Sequence, residues 1–91
     1  MDERHPETPE RSGEVWVRRE TERVAVYVPA TGQLHALNAS ALAIWELCDG
    51  MTTIDEMIRA VAELTDAGLE QAERDVVRTL DELAERGLVE R

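Results

Sequence analysis

The 91-residue sequence has no lysine and no phenylalanine, and its only cysteine is Cys48. A single cysteine excludes an internal disulfide. Because Cys48 falls on the apolar face of a predicted helix, we interpret it as a small core residue rather than a nucleophile. The sequence also lacks an apolar run long enough to cross a bilayer and a charged-then-apolar start typical of a signal peptide. We therefore expect a cytoplasmic protein.

Positive charge is also scarce. The sequence has ten arginines and twenty acidic residues, which gives a net charge of −10. Nucleic-acid binding requires clustered positive charge to displace counterions, so this balance argues against it. It favours partners that are neutral or basic, or whose contacts are mainly backbone and apolar. The acidic surface otherwise keeps a small protein soluble.

Residues that carry catalytic chemistry are few. His5 and His35 are far apart in the sequence, and with one cysteine they form no recognisable metal-ligand cluster. The sequence has no glycine-rich phosphate loop and no nucleophile elbow. We identify no paired carboxylates at a site. The sequence therefore predicts a protein that is not an enzyme and that uses no metal or cofactor.

The chain is organised around residues 34–50, where a short alternating segment passes directly into a helix. Asn38 can cap this helix, because its side-chain oxygen accepts a backbone N–H of the first turn. The helix is predicted to run from Ala39 to about Cys48, with Trp45 on its apolar stripe. Asp49 and Gly50 end it, and Gly50 is free to adopt the left-handed conformation.

Three short strands precede this helix and two longer helices follow it. Residues 1–13 are predicted to be a disordered acidic tail, and residues 14–91 one domain. Short turns make the strands an antiparallel meander, with the third strand at the edge. Thr52 or Thr53 starts a capping box for the second helix. The order indicates an α+β fold, with strands at 14–19, 24–28 and 33–37 and later helices at 54–64 and 69–86.

The third strand offers the one feature suited to binding. Its unpaired edge is a template to which an extended peptide can add as a further strand. The last helix would form the far wall of a groove. Alternation predicts that His35 points away from the core, and that Trp16 covers the other side of the sheet.

Four segments together resemble the PqqD-like proteins, the precursor-peptide recognition elements of ribosomally made, modified peptides. They are Leu-His-Ala-Leu-Asn-Ala-Ser-Ala-Leu-Ala-Ile-Trp-Glu-Leu-Cys-Asp-Gly at 34–50, Thr-Ile-Asp-Glu-Met at 53–57, Asp75-Val76, and Leu-Ala-Glu-Arg-Gly-Leu-Val at 83–89. The resemblance implies a winged helix-turn-helix with a three-stranded sheet and three helices. It also implies a non-catalytic protein that delivers a leader peptide to a radical-SAM maturase or a leader peptidase, in pyrroloquinoline quinone, lasso or related peptide biosynthesis.

The resemblance also implies a binding site. In this family the leader adds to the third strand and packs against the third helix. Carried over by position, the peptide-binding residues are Gln33, Leu34, His35, Ala36, Leu37, Ala72, Asp75, Val76, Thr79 and Leu83.

Two other functions fit the predicted fold. The first is a winged-helix DNA-binding regulator, which the acidic last helix disfavours. The second is an interaction domain that forms a weak dimer by pairing with a second copy of itself through the exposed edge.

Overall fold

The computed structural model describes residues 5–20, 23–66 and 68–90. Within these residues a three-stranded sheet is followed by three helices, and a second, two-stranded sheet joins the two ends of the described chain. The elements are β1 (Glu10–Arg11), β2 (Trp16–Arg19), β3 (Val24–Val28), β4 (Gln33–Leu37), α1 (Ala39–Glu46), α2 (Ile54–Thr65), α3 (Leu69–Glu85) and β5 (Val89–Glu90). No helix of the described residues is both long and apolar enough to span a membrane.

The main sheet is the predicted antiparallel meander, in the order β2-β3-β4. Strands β3 and β4 have the predicted bounds, whereas β2 begins at Trp16, two residues later than expected. Val24, Val26 and Val28 alternate along β3 and are buried against the helices. This period of two fixes which face of the sheet meets the core.

Helix α1 begins as predicted. The Oδ1 atom of Asn38 accepts a hydrogen bond of 2.9 Å from the backbone N–H of Ala41. The helix ends at Glu46, two residues before the expected end, and Leu47 caps it in right-handed conformation. Gly50 has the predicted left-handed backbone, with φ of 77°. It serves the turn into α2 rather than the end of α1.

Helix α2 begins with a complete capping box. Of the two predicted candidates, Thr52 and Thr53, the N-cap residue is Thr53. Its side chain accepts from the backbone N–H of Glu56, and the Glu56 side chain accepts from the backbone N–H of Thr53. Helix α3 ends at Glu85, and Gly87 follows with φ of 74°. The chain then turns back, so that Leu88 and Val89 enter the core.

The first residues differ most from the sequence prediction. From His5 onward the segment is not a free tail, because β1 pairs with β5. The carbonyls of Glu7 and His5 accept hydrogen bonds of 3.0 and 3.1 Å from the N–H groups of Ile54 and Asp55. These donors lie in the first turn of α2 and have no partner within the helix. Backbone pairing and the fully buried side chain of Pro9 therefore hold a segment that has no valine, leucine or isoleucine. Residues 1–4 of the predicted tail lie outside the described part of the chain.

Trp45 connects α1 to the C-terminal segment. Its side chain is buried, and its Nε1–H donates a hydrogen bond of 3.0 Å to the carbonyl oxygen of Leu88. This confirms the prediction that Trp45 belongs to the core. The same core contains residues of β3, β4 and β5, of all three helices and of the turns after α1 and α3: Val24, Val26, Val28, Leu37, Ile44, Cys48, Ile54, Met57, Ile58, Ala72, Val76, Leu80, Leu83, Leu88 and Val89.

Replacing the buried indole tests this connection. We expect Trp45→Phe to lower the free energy of unfolding by about 1–3 kcal/mol, because the variant loses the hydrogen bond to the Leu88 carbonyl and part of the buried side chain. The Leu88 carbonyl keeps the backbone N–H of Ser12 as a donor, at 3.0 Å. Trp16→Phe is the matched control, since Trp16 is 71% exposed; a change within about 0.5 kcal/mol is expected there. Urea unfolding followed by far-UV circular dichroism measures both. Equal destabilisation by the two variants would contradict the role given to Trp45.

Candidate functional site

Strand β4 lies at the edge of the main sheet. It pairs with β3 on one side, from Val28↔Gln33 to Val24↔Leu37. On its other side, no strand of the described residues pairs with it. Alternate N–H and C=O groups of β4 therefore point away from β3 and are available to another extended chain.

The side chains of β4 divide between two faces. Leu37 is buried and His35 half-buried on the face toward the helices, whereas Leu34 and Ala36 are exposed on the opposite face. The prediction that His35 points away from the core is wrong. His35 shares its face with Leu37, because they are two residues apart. Its Nε2 atom is buried and has no hydrogen-bond partner among the described residues.

A groove of about 540 Å³ begins at the residue that follows β4. One wall is the first half of α1, starting from Asn38. The opposite wall is α3, and the end of α2 closes one side. Polar α3 side chains and small or apolar α1 and α2 side chains line it together: Asn38, Ala39, Ser40, Ala41, Ala43, Ile44, Val61, Leu64, Thr65, Asp75, Arg78, Thr79 and Glu82.

The residues predicted on the last helix fall on two different faces. Asp75 and Thr79, four residues apart, both line the groove. Ala72, Val76 and Leu83 are instead buried in the core. Their assignment to a groove face is therefore corrected: in this structure their side chains do not reach the surface. The helical period separates the two sets.

Sequence reasoning missed the other groove residues of α3. Arg78 and Glu82 complete an i, i+3, i+4, i+7 pattern that starts at Asp75. That spacing marks one helix face and was available in the sequence. Arg78 lies 3.1 Å from the Asp75 carboxylate, so an ion pair stands at the groove wall. The contribution of α1, from Ser40 to Ile44, had no comparable signal, because it depends on how α1 packs against α3.

The titratable groups of residues 5–20, 23–66 and 68–90 show no catalytic arrangement. Burial raises the pKa of the Cys48 thiol to about 11, which keeps it protonated and unreactive at neutral pH. The pKa of Asp49 is lowered, mainly because the backbone N–H groups of Met51 and Thr52 donate to its carboxylate. Among the described residues, no three His, Cys, Asp or Glu side chains converge to hold a metal ion.

The buried thiol gives a direct test of this electrostatic description. We expect the folded protein at pH 8 to react with a thiol reagent at least about 100-fold more slowly than the protein unfolded in urea, because Cys48 is neutral and inaccessible. Absorbance of the released chromophore measures both rates. Rapid stoichiometric labelling of the folded protein would contradict the interpretation of Cys48 as a core residue.

The fold and site define a class: a small α+β domain with an open strand edge and a groove between two helices. Sequence comparison gives the family. Residues 23–89 match the family described as Coenzyme PQQ synthesis protein D (PqqD), so the chain belongs to the PqqD family. This confirms the resemblance found in the sequence. No curated protein matches the chain.

Two solved structures are similar to this chain. The first is TbiB1 in complex with the TbiA(beta) leader peptide, with a TM-score of 0.78 and 25% identity over 89% of this chain and 94% of that chain. The second is the PqqD truncation of Methylobacterium extorquens PqqCD, described as a stand-alone RiPP recognition element. Its TM-score is 0.73, with 24% identity over 91% of this chain and 88% of that chain. The predicted fold of three antiparallel strands and three helices is confirmed.

Proposed function

We propose that this protein binds the leader of a ribosomally made precursor peptide and delivers it to a modifying enzyme, without catalysing a reaction itself. The observation that carries the proposal is the open edge of β4, next to the groove between α1 and α3, in a chain of the PqqD family. A similar protein, TbiB1, has been solved with a leader peptide bound.

The leader adds to β4 as a fourth strand, and its side chains supply most of the affinity. Ordering each peptide residue costs about 1–2 kcal/mol, and each backbone hydrogen bond returns a net of about 0.5–1.5 kcal/mol. These terms nearly cancel. Micromolar affinity needs about 8 kcal/mol, which two to four buried apolar anchors at about 1.5–3 kcal/mol each can provide. The groove beyond Asn38 offers small and apolar side chains of α1 and α2 for such anchors, opposite the polar wall of α3.

The edge of β4 suits this role better than that of β2, the other end of the sheet. All four β2 residues are exposed, and two of them are arginines. Strand β4 is held in place by Leu37, which is 1% exposed in the core, and it leads directly into the groove. We assign the peptide-binding role to the five residues of β4, from Gln33 to Leu37, and to Asp75 and Thr79 of α3.

The proposal includes finer features of the family. The fold is a winged helix-turn-helix, and its recognition domain takes in the segment from His5 to Gly13 in addition to the predicted residues 14–91. The partner is a radical-SAM maturase or a leader peptidase of pyrroloquinoline quinone, lasso or related peptide biosynthesis, in the cytoplasm. DNA binding is disfavoured because α3 exposes many carboxylates and the net charge is −10. Pairing of two copies through β4 is the competing use of the same edge.

Backbone-modified leaders test strand addition directly. Labelled leaders of cofactor-type, lasso-type and mycofactocin-type precursors are titrated with the protein and followed by fluorescence anisotropy. We expect one class to bind with micromolar or tighter affinity. N-methylation at every second amide of its paired segment should weaken binding about tenfold, because only those amides face β4. Methylating the amides between them is the internal control. An N-methylation effect without alternation would contradict strand addition.

The groove wall on α3 has a matched pair of variants. We expect Asp75→Ala to weaken leader binding about three- to tenfold, because the carboxylate can accept a hydrogen bond from the bound peptide. Glu70→Ala removes the same charge in the first turn of α3, outside the groove-lining set. It should leave the affinity within twofold of the parent. If Asp75→Ala binds as tightly as the parent, Asp75 is not part of the site.

A further inference from the structure

The face of the main sheet that points away from the helices carries a row of three large apolar side chains. Trp16 pairs with Tyr27, and Tyr27 pairs with Leu34, so the three lie side by side across β2, β3 and β4. The Trp16 and Tyr27 rings meet edge to face, with centroids 6.1 Å apart and planes at 68°. Trp16 is 71% and Leu34 67% exposed. The three side chains are contiguous rather than scattered, and contiguous exposed apolar surface is the kind at which soluble domains bind partners.

The row ends at the strand edge where the leader is proposed to bind. Leu34 has Tyr27 as its cross-strand neighbour on one side, and no strand of the described residues on the other. In an antiparallel pair, directly opposed side chains have Cβ atoms about 4.5–5.5 Å apart and lie on the same face. A strand added to β4 therefore places one of its own side chains against the free side of Leu34.

We propose that the leader carries an aliphatic or aromatic side chain directly opposite Leu34, which extends the row Trp16–Tyr27–Leu34 by a fourth member. This inference rests on the proposed function and adds a sequence requirement to it. The recognised segment is apolar at one outward-facing position, in addition to any anchors that enter the groove. Side chains of the leader are thus recognised on both faces of the sheet.

The neighbouring row explains why a single outward position is selected. Arg18 pairs with Ala25, and Ala25 pairs with Ala36. A leader residue opposite Ala36 meets only a methyl group, so that position tolerates polar side chains. Because neighbouring residues on one face of a strand are two apart, the apolar requirement and the tolerant position are separated by two residues in the leader.

The leader fits this row better than a partner that covers the whole face. The row is continuous with the proposed peptide site, because Leu34 belongs to β4, whose backbone edge is open. The same peptide can therefore contact both the edge and the row. The second row of the outer face consists of Arg18, Ala25 and Ala36, with no large apolar side chain. This leaves a narrow apolar strip, one side chain wide, rather than a broad patch.

The test combines protein variants with a substituted leader. The probe is the leader that binds most tightly in the three-class panel, with each residue of its paired segment replaced in turn by glutamine. We expect one outward position at which glutamine weakens binding to the parent protein about fivefold, equivalent to about 1 kcal/mol. Leu34→Gln should weaken the unaltered leader by the same factor and abolish the effect of that substitution, since both changes remove one contact.

Two variants serve as matched controls. Leu69→Gln replaces a leucine of similar exposure, 61%, at the first residue of α3, and Trp16→Gln alters the far end of the row. Both should bind the leader within twofold of the parent. Far-UV circular dichroism and urea unfolding confirm that every variant is folded, which is expected because the three side chains are exposed.

The outcomes separate this inference from the proposed function. If the parent protein binds no leader of the panel, both are overturned. If the parent binds and Leu34→Gln binds equally well, only the inference is overturned. Equal weakening by Trp16→Gln also overturns it, since β3 and β4 both lie between Trp16 and the leader. So does a parent dimer in sedimentation that Leu34→Gln dissociates, because a second copy would then cover the row.

Discussion

The structure depends on how β4 is held. Hydrogen bonds from β3 fix one of its sides, Leu37 anchors its end in the core, and Asn38 turns the chain at once into α1. The strand is thus rigidly placed while its second side remains open. Rigid placement matters because a peptide that adds to a strand already in position orders only itself. The position of β4 also determines where the groove between α1 and α3 begins.

The two ends of the chain stabilise the helices on which this groove depends. The segment from His5 to Ser12 runs past the start of α2 and pairs with β5, and the Nε2 atom of His5 lies 2.7 Å from the Glu73 carboxylate of α3. Trp45 ties α1 to the returning chain at Leu88. Helices α1, α2 and α3 are therefore each tied to a terminal segment. The terminal segments are not part of the proposed peptide site, but they hold in place the helices that form its groove.

Local chemistry made most of the fold predictable. The bounds of β3 and β4, the Asn38 cap and the Thr53 capping box follow from short-range patterns that need no tertiary contact. The start of the chain was not predictable in this way. Most of its hydrogen bonds use backbone atoms and join residues that are far apart in the sequence, such as Glu7 with Ile54 and Ser12 with Leu88. Composition does not predict such pairing.

The site was predictable in part. The edge strand followed from the strand order, but the rotation of α3 did not, so Ala72, Val76 and Leu83 were expected in the groove although they face the core. The predicted orientation of His35 was wrong because it took Leu34 and Ala36 as the core-facing residues. Leu37 is the buried residue of β4, and His35 lies on the same face as Leu37. Both errors concern which face of an element meets its neighbour, which is set by packing over the whole domain.

The central claim is that a leader peptide pairs with β4, and amide hydrogen exchange measured by NMR tests it most directly. In the free protein, the amides of β4 that point away from β3 are expected to exchange rapidly. On addition of a binding leader these amides should become protected, while exchange at the β2 edge stays unchanged. Protection at β2 with none at β4 would contradict the account.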